Sequence, residues 1–326
     1  MAANRKKVLL PENLARAGWD LIRTRDDVEA VAYPPSLATP EFHRFLVDAH
    51  GIALSYTPYH AAEMDASPEM QVVARIGVGY DSVAVPALTA RLVPLMIAGT
   101  ANSVSVAEHA LFMMLQLAKR AAVLDPLVRA GRWHERYADM PVDLAGRTVL
   151  VIGFGRIGTR IAARCLAMDM TVLVHDPYVP AASIAAAGCT QAADLDAALP
   201  RADFLTIHCP KTPETTGMID ARRLALLKPG AYLVNTARGG IVDEAALAAA
   251  LVARRLAGAG IDVFATEPVP LDNPLLSLPS VIVSPHMAGV TVEATARMAL
   301  AAVGNILSVF DGKPNRENVV NKEVLG

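Results

Sequence analysis

Hydrophobic residues along the chain occur as short continuous runs that alternate with stretches of helical spacing. Apolar runs bounded by glycine, proline or polar residues predict buried strands, and the stretches between them predict helices. We predict strands at 7–11, 28–33, 52–55, 149–152, 171–175, 204–208, 232–235, 260–263 and 281–284, and helices at 13–23, 41–49, 103–123, 220–227, 244–255 and 293–310. This alternation indicates an α/β protein with a doubly wound parallel sheet.

One apolar run leads directly into a glycine-rich loop. After residues 149–152 come Gly153, Gly155 and Gly158, and the apolar spacing then becomes helical. Glycine at these positions permits a tight turn, close approach of the backbone to a pyrophosphate, and packing of the helix against the strand. The helix N-terminus favours an anion. The loop, with Arg156 and Ile157 inside it, therefore predicts a dinucleotide-binding site.

Asp176 narrows the choice of dinucleotide. It follows the predicted strand 171–175, where a carboxylate can accept hydrogen bonds from the hydroxyl groups of the adenosine ribose. An ionised carboxylate there repels a 2′-phosphate, so we predict NAD rather than NADP. The alternative is that Asp176 only forms a turn.

Composition limits the function classes. With 326 residues, the chain exceeds one average domain, and we expect two. A net charge of −2 and scattered basic residues predict no nucleic acid partner. The three cysteines lack CxxC spacing, which is typical of reduced thiols in a cytoplasm. We see no signal peptide, no apolar run near the ~20 residues of a membrane span and no metal-ligand spacing, so we predict a cytoplasmic protein without membrane or metal.

Three polar residues follow predicted strands and suggest a chemistry. Arg238 lies in NTARGG, Glu267 in DVFATEPVP and His286 in SPHMAG. Ligands of open α/β sheets bind beyond the carboxyl ends of the strands, where these loops can converge. An arginine can grip a carboxylate, a histidine can exchange a hydroxyl proton, and a carboxylate behind the histidine favours its charged form. Together they predict hydroxy-acid oxidation, whereas any one alone fits a structural role better.

Seven ordered motifs resemble the D-isomer-specific 2-hydroxyacid dehydrogenase family nearly from end to end. They are RIGVGYDSV, NSVSVAEHAL, VIGFGRIGTRIA, HCPKTPETTGMI, LLKPGAYLVNTARGGIVDE, GIDVFATEP and SPHMAG. The resemblance implies a Rossmann NAD domain at 102–286. It also implies a flavodoxin-like substrate domain made of 1–101 and 287–326, with a cleft that closes on the substrate.

Roles for individual residues follow from the same resemblance. Arg238 would bind the substrate carboxylate and polarise the keto oxygen, His286 would act as acid and base, and Glu267 would pair with His286. Backbone N–H groups of Val78 and Gly79 would also bind the carboxylate. The positions matching the lining of the NAD pocket are Cys209, Pro210, Thr236, Ala237 and Asp262. The segment 125–144 matches the family's dimerisation region, which implies a homodimer.

The resemblance leaves the substrate open. Phosphoglycerate dehydrogenases usually have an arginine where this chain reads Leu54, Ser55 and Tyr56, and they often append a regulatory domain that we do not find here. Arg75, in contrast, is a feature that resembles the phosphoglycerate dehydrogenases. Phosphite dehydrogenases have lysine where Val78 stands, and formate dehydrogenases pair the histidine with glutamine. A small 2-keto acid such as glyoxylate, hydroxypyruvate or pyruvate is the main prediction. A rival class is a non-catalytic NAD-sensing binding protein of the same fold.

Overall fold

The polypeptide forms two compact α/β units. The computed structural model describes residues 5–326, so positions 1–4 of the predicted substrate domain lie outside the described residues. One unit runs to Asn102 and resumes with Val290–Gly326, and the other comprises Ser103–Gly289. Our sequence limits were 101 and 286, and which unit takes the substrate stays a prediction.

Parallel strands and short helices alternate through both units. The strands are β1 Lys6–Pro11, β2 Val28–Tyr33, β3 Gly51–Leu54, β4 Val72–Arg75, β5 Leu95–Met96, β6 Thr148–Ile152, β7 Thr171–His175, β8 Thr190–Gln191, β9 Phe204–Ile207, β10 Ala231–Asn235, β11 Leu256–Ile261 and β12 Val281–Val283. The helices are α1 Arg16–Ile22, α2 Thr39–Leu46, α3 Ala61–Asp65, α4 Val85–Ala90, α5 Ser103–Lys119, α6 Ala121–Arg129, α7 Gly158–Ala167, α8 Ala181–Ala186, α9 Leu195–Ala198, α10 Ala221–Leu226, α11 Glu244–Val252 and α12 Val292–Phe310.

The first unit has a five-stranded sheet in the order β2-β1-β3-β4-β5. Every pair is parallel, and this order is that of the flavodoxin-like fold. Helix α12 returns the chain to this unit, where Val303 and Ile306 pack with Val8 and Val72 in one apolar cluster. The fold class predicted for this part of the chain is therefore confirmed.

Helix α12 is also long and apolar enough to cross a membrane by length and composition, unlike what we expected of this chain. Its core face explains the composition, because Ala299, Ala302 and Val303 are buried among the strands of the first unit. The helix is a core helix of that unit.

The second unit has a seven-stranded parallel sheet in the order β12-β11-β10-β9-β6-β7-β8. Counted from β6, the first six strands follow the Rossmann order 3-2-1-4-5-6, and β12 extends the sheet by one strand. Apolar side chains cover both faces of the sheet in two clusters, as a buried parallel sheet requires. The predicted Rossmann fold is confirmed.

The long helix predicted at 103–123 is interrupted in the structure. It ends at Lys119, and Arg120 adopts a left-handed conformation with φ of 54° before α6 begins. The predicted irregular segment 125–144 contains the rest of α6 and a 3₁₀ turn at Trp133–Tyr137. Hydrophobic spacing did not detect the break, because apolar residues continue across it.

Candidate active site

The glycine loop between β6 and α7 is held by close backbone packing. A Cβ at Gly153 would lie 2.7 Å from the amide nitrogen of Cys209, and a Cβ at Gly158 would lie 1.9 Å from the carbonyl oxygen of Gly153. Gly153 also has φ of +89°, which favours glycine. At Gly155 an added Cβ would meet no protein atom within 4 Å, so packing does not require glycine there. Arg156 is exposed and Ile157 is the N-cap of α7.

Asp176 reaches the same loop from the end of β7. The Phe154 N–H donates to its Oδ2 at 2.7 Å, and the Tyr178 N–H donates to its Oδ1 at 2.9 Å. The turn-forming role weighed above is thus present. Each carboxylate oxygen has a second lone-pair direction, so Asp176 can still accept a hydrogen bond from a ligand.

Residues after β9 form the support beneath the glycine loop. Burial raises the pKa of the Cys209 thiol to about 11 and lowers the pKa of His208 to about 3, so both side chains are neutral near pH 7. The carbonyl of Pro210 accepts from the Thr215 hydroxyl at 2.7 Å, which orders the loop that follows. The thiol is therefore a packing group and not an ionised nucleophile.

The loop that carries Arg238 is ordered by Asn235, the last residue of β10. The Asn235 side chain is buried; it accepts from the Ala237 N–H at 3.0 Å and donates to the Arg238 carbonyl at 2.9 Å. A Cβ at Gly239 would lie 1.8 Å from the Phe264 carbonyl oxygen, so this loop abuts the segment that follows β11. The Arg238 Nη1 donates to the Ala237 carbonyl at 2.7 Å.

Glu267 and His286 form a hydrogen-bonded pair at the edge of the sheet. The distance between Glu267 Oε2 and His286 Nδ1 is 2.8 Å, and Glu267 Oε1 accepts from the Phe264 N–H at 2.9 Å. Because an ionised carboxylate can only accept, Nδ1 carries a proton and Nε2 is the nitrogen left to exchange one. His286 itself has φ of 56°.

Asp262, which follows β11, holds the segment around His286. Its Oδ1 accepts from the Ser284 hydroxyl at 2.5 Å and from the Met287 N–H at 2.8 Å, and its Oδ2 accepts from the Ala288 N–H at 2.9 Å. The residue is 1% exposed. Asp262 therefore has an internal role that the resemblance did not imply, and only Oδ2 keeps a free acceptor direction.

In the first unit, a glycine turn follows β4. Gly77 has φ of 134°, and the Arg75 Nε donates to the Gly79 carbonyl at 2.8 Å. The Arg75 Nη1 donates to the Leu54 carbonyl at 3.3 Å. Val78 and Gly79 are partly buried in this turn. Arg75 thus links the turn to the end of β3, a role that the sequence did not reveal.

The second unit's residues suit a dinucleotide. The Thr236 hydroxyl and the His208 Nδ1 are buried without a partner in the described chain. Thr236 follows β10, and His208 follows β9, where its backbone lies against Gly153 of the glycine loop. Buried polar atoms of this kind usually bind a ligand or water. Within residues 5–326, no three His, Cys, Asp or Glu side chains group as metal ligands.

Sequence reasoning missed Asn235, Ser284 and His109 as parts of this site. Asn235 and Ser284 lie inside motifs quoted above, but nothing in a motif tells which side chain turns inward to hold a loop. His109 lies in the motif NSVSVAEHAL, and its Nε2 lies 3.0 Å from the Ser284 hydroxyl. Only the fold brings these positions together.

Comparisons with known proteins agree on one family. Residues 111–288 match the model described as "D-isomer specific 2-hydroxyacid dehydrogenase, NAD binding domain". The chain is 40% identical to D-3-phosphoglycerate dehydrogenase of Mycobacterium leprae over 97% of this chain and 60% of that protein. It spans 49–60% of the length of the D-3-phosphoglycerate dehydrogenases that it matches.

Two further relatives match over most of their length. An (S)-sulfolactate dehydrogenase of Chromohalobacter salexigens is 41% identical over 73% of this chain and 77% of that protein. The crystal structure of a glyoxylate reductase from Paecilomyes thermophila superimposes with a TM-score of 0.87 at 26% identity, covering 98% of this chain and 99% of that one.

Proposed function

Because the chain belongs to the D-isomer-specific 2-hydroxyacid dehydrogenase family and carries its NAD-binding domain, we propose that it transfers a hydride between NAD(H) and a small 2-hydroxy or 2-keto acid. The observation that carries this proposal is the 2.8 Å pair of His286 with Glu267. It stands on the same sheet edge as the Arg238 loop, because β10, β11 and β12 are parallel neighbours.

In the oxidation direction, the side chains divide the work. The guanidinium of Arg238 binds the substrate carboxylate, and His286 Nε2 takes the proton of the C2 hydroxyl as the C2 carbonyl forms. Glu267 keeps the imidazole oriented and stabilises the positive charge that it gains. NAD⁺ held at this edge of the sheet would supply the acceptor for the hydride of C2. In reduction, His286 returns the proton to the carbonyl oxygen.

We assign the cofactor to the carboxyl edge of the second unit's sheet. The glycine loop suits the pyrophosphate, and Asp176 suits the ribose hydroxyls and disfavours a 2′-phosphate. The two unpartnered buried atoms, Thr236 Oγ1 and His208 Nδ1, support a ligand there. The residues we propose as cofactor contacts are Gly153, Gly155, Arg156, Ile157, Gly158, Asp176, Cys209, Pro210, Thr236, Ala237 and Asp262.

For the substrate, we propose a small 2-keto acid of the glyoxylate, hydroxypyruvate or pyruvate type. The N–H groups of Val78 and Gly79 remain proposed carboxylate contacts. The Arg75 side chain donates hydrogen bonds to two backbone carbonyl groups, which argues against a role for Arg75 in binding a substrate phosphate. D-3-phosphoglycerate is the second candidate, because relatives with 40–42% identity act on it by name.

A substrate panel tests this function. The purified protein is mixed with NADH and glyoxylate, hydroxypyruvate or pyruvate, and with NAD⁺ and D-3-phosphoglycerate or sulfolactate; absorbance of NADH is followed, and NADPH and NADP⁺ are run in parallel. We expect oxidation of NADH with at least one small keto acid. Tight NADH binding without turnover of any compound would favour a non-catalytic NAD sensor instead.

We further propose a homodimer in the cytoplasm. Trp133, Tyr137 and Met140 are exposed on the 125–144 segment, and Arg136 lies over both aromatic rings. Apolar side chains grouped in this way favour a protein interface. Light scattering after gel filtration should give twice the 34.5 kDa chain mass, and Tyr137→Asp should reduce it towards the monomer. A monomeric wild-type protein would reject the dimer. A net charge of −2 favours no nucleic acid partner, and the burial of the apolar face of α12 in the first unit favours no membrane partner.

A further inference from the structure

A chain of hydrogen bonds runs from the middle of α5 to the segment that carries His286. His109 Nε2 lies 3.0 Å from the Ser284 Oγ, and the Ser284 Oγ lies 2.5 Å from Asp262 Oδ1. Asp262 in turn accepts from the N–H groups of Met287 and Ala288, directly after His286. All of these residues belong to the second unit.

The hydrogen bonds that connect His109, Ser284 and Asp262 can run in only one donor-to-acceptor direction. The Ser284 hydroxyl has a single proton, and the Asp262 carboxylate can only accept, so Ser284 donates to Asp262. The Ser284 oxygen must then accept from His109, which requires a proton on His109 Nε2. Ser284, oriented by His109, thus gives the Oδ1 of an almost fully buried carboxylate a second donor besides the Met287 N–H.

The segment held by Asp262 needs such support. His286 has a left-handed backbone, which is uncommon for a residue with a Cβ, and its N–H donates to the Asp262 carbonyl at 2.8 Å. Asp262 therefore holds the backbone on both sides of the His286 ring, through its own carbonyl and its carboxylate. A shift of Asp262 would move the imidazole relative to Glu267.

Building on the proposed function, we propose that His109 and Ser284 are positioning residues for the acid–base histidine. They fix Asp262, and Asp262 fixes the backbone of residues 286–288, so that the His286 ring meets Glu267 and presents Nε2 to the substrate. Neither His109 nor Ser284 touches the reacting atoms in this scheme. Their effect on catalysis passes through the orientation of His286.

Four single variants and one double variant test this series of hydrogen bonds kinetically. His109→Leu and Ser284→Ala remove the donors, whereas His109→Gln and Ser284→Thr keep one. We expect the first two to lower kcat about tenfold, the rate equivalent of ~1.4 kcal/mol, because the His286 ring is no longer held in place. The conservative variants should restore most of the rate, and the His109→Leu/Ser284→Ala double variant should lose no more than the worse single variant.

Ser277→Ala is the matched control, because Ser277 also donates one hydrogen bond in the second unit, but to the Pro274 carbonyl and not to Asp262. It should leave kcat unchanged. Wild-type kcat in His109→Leu and Ser284→Ala, or a loss confined to thermal stability, would overturn the positioning role.

A spectroscopic readout separates this inference from the proposed function. In protein labelled with ¹⁵N-histidine, the His286 signal is assigned by its absence in His286→Gln. We expect its Nδ1 shift to change in His109→Leu and Ser284→Ala and to stay near wild type in Ser284→Thr. An unchanged signal in the first two rejects the positioning chain. Absence of turnover with a changed signal rejects only the proposed reaction.

Discussion

Two loops at one edge of the second unit's sheet are held in place by different physical means. The loop from Gly153 to Gly158 is fixed by backbone atoms so close together that no Cβ fits at its ends. The segment from Ser284 to Ala288 is fixed by side-chain hydrogen bonds to the buried Asp262. The sterically packed loop has no room for an added atom, whereas the hydrogen-bonded segment can lose one bond while the sheet around it stays folded.

Because of this difference, faults in the two loops should affect different properties: stability and cofactor binding in the glycine loop, and catalytic rate in the hydrogen-bonded segment. A steric fault in the glycine loop displaces the start of α7, and with it the N–H groups proposed for the pyrophosphate. A fault in a hydrogen-bonded loop changes the orientation of one side chain within an intact sheet. We therefore expect variants of the first loop to lose stability and cofactor together, and variants of the second kind to lose rate alone.

The strongest test of the steric half is Gly158→Ala. The new Cβ would lie 1.9 Å from the Gly153 carbonyl oxygen, so strand and helix must separate. We expect the free energy of unfolding to fall by at least ~3 kcal/mol, measured by urea denaturation, and NADH binding to disappear. Gly155→Ala is the matched control and should cost less than ~1 kcal/mol, because no protein atom lies within 4 Å. Equal stability of the two variants would contradict the comparison.

Arg238→Ala tests a third loop, the one after β10, which side-chain hydrogen bonds of Asn235 hold in a similar way. It should lower kcat/KM by about 10² to 10³, the usual effect of removing one stabilising donor, because the substrate carboxylate loses its partner. The melting temperature and NADH affinity should stay near wild type. Arg201→Ala, an exposed arginine of the same unit, is the control. A rate near wild type would show that Arg238 is not at the site.

The support beneath the glycine loop should make stability depend on pH. Burial lowers the pKa of His208 from 6.5 to about 3, so the unfolded chain binds a proton that the folded protein excludes. Stability from this residue is complete above pH 6.5 and falls as the pH drops towards 3, by ~2 kcal/mol at pH 5. His208→Gln should flatten the urea-derived stability curve between pH 7 and 5 by that amount. Parallel curves for the two proteins would refute the assignment.

Asp176 connects cofactor choice to loop structure, and two substitutions separate its roles. Asp176→Asn keeps an oxygen for the Phe154 N–H but removes the charge, whereas Asp176→Ala removes both. We expect both to shift the NADH/NADPH ratio of kcat/KM at least tenfold towards NADPH, or ~1.4 kcal/mol. Only the alanine variant should also weaken binding of NADH through the loop. An unchanged ratio in Asp176→Asn would reject its part in cofactor choice.

The helices and strands that the sequence predicted best are those determined by residues close together in the chain. The strands β2 and β7 match their predicted ranges. Residues 172–174 of β7 form an apolar run, and β2 is apolar except for Glu29 and is followed by two prolines, so both segments have few alternatives. The two-residue strands β5 and β8 were missed, since two residues are too few to show a hydrophobic pattern. The break at Arg120 was missed too, because a left-handed backbone at arginine leaves no signature in hydrophobic spacing.

Sequence alone determined the α/β class, the family and the glycine loop, since each depends on residues close together in the chain or on motifs in fixed order. Tertiary structure alone decided what holds the loops. His109 and Ser284 are 175 positions apart, and Asp262 faces Met287 and Ala288 only because β11 and β12 are parallel neighbours. A hydrogen bond between distant positions depends on where the packed sheet brings their backbones, and a linear pattern does not contain that distance.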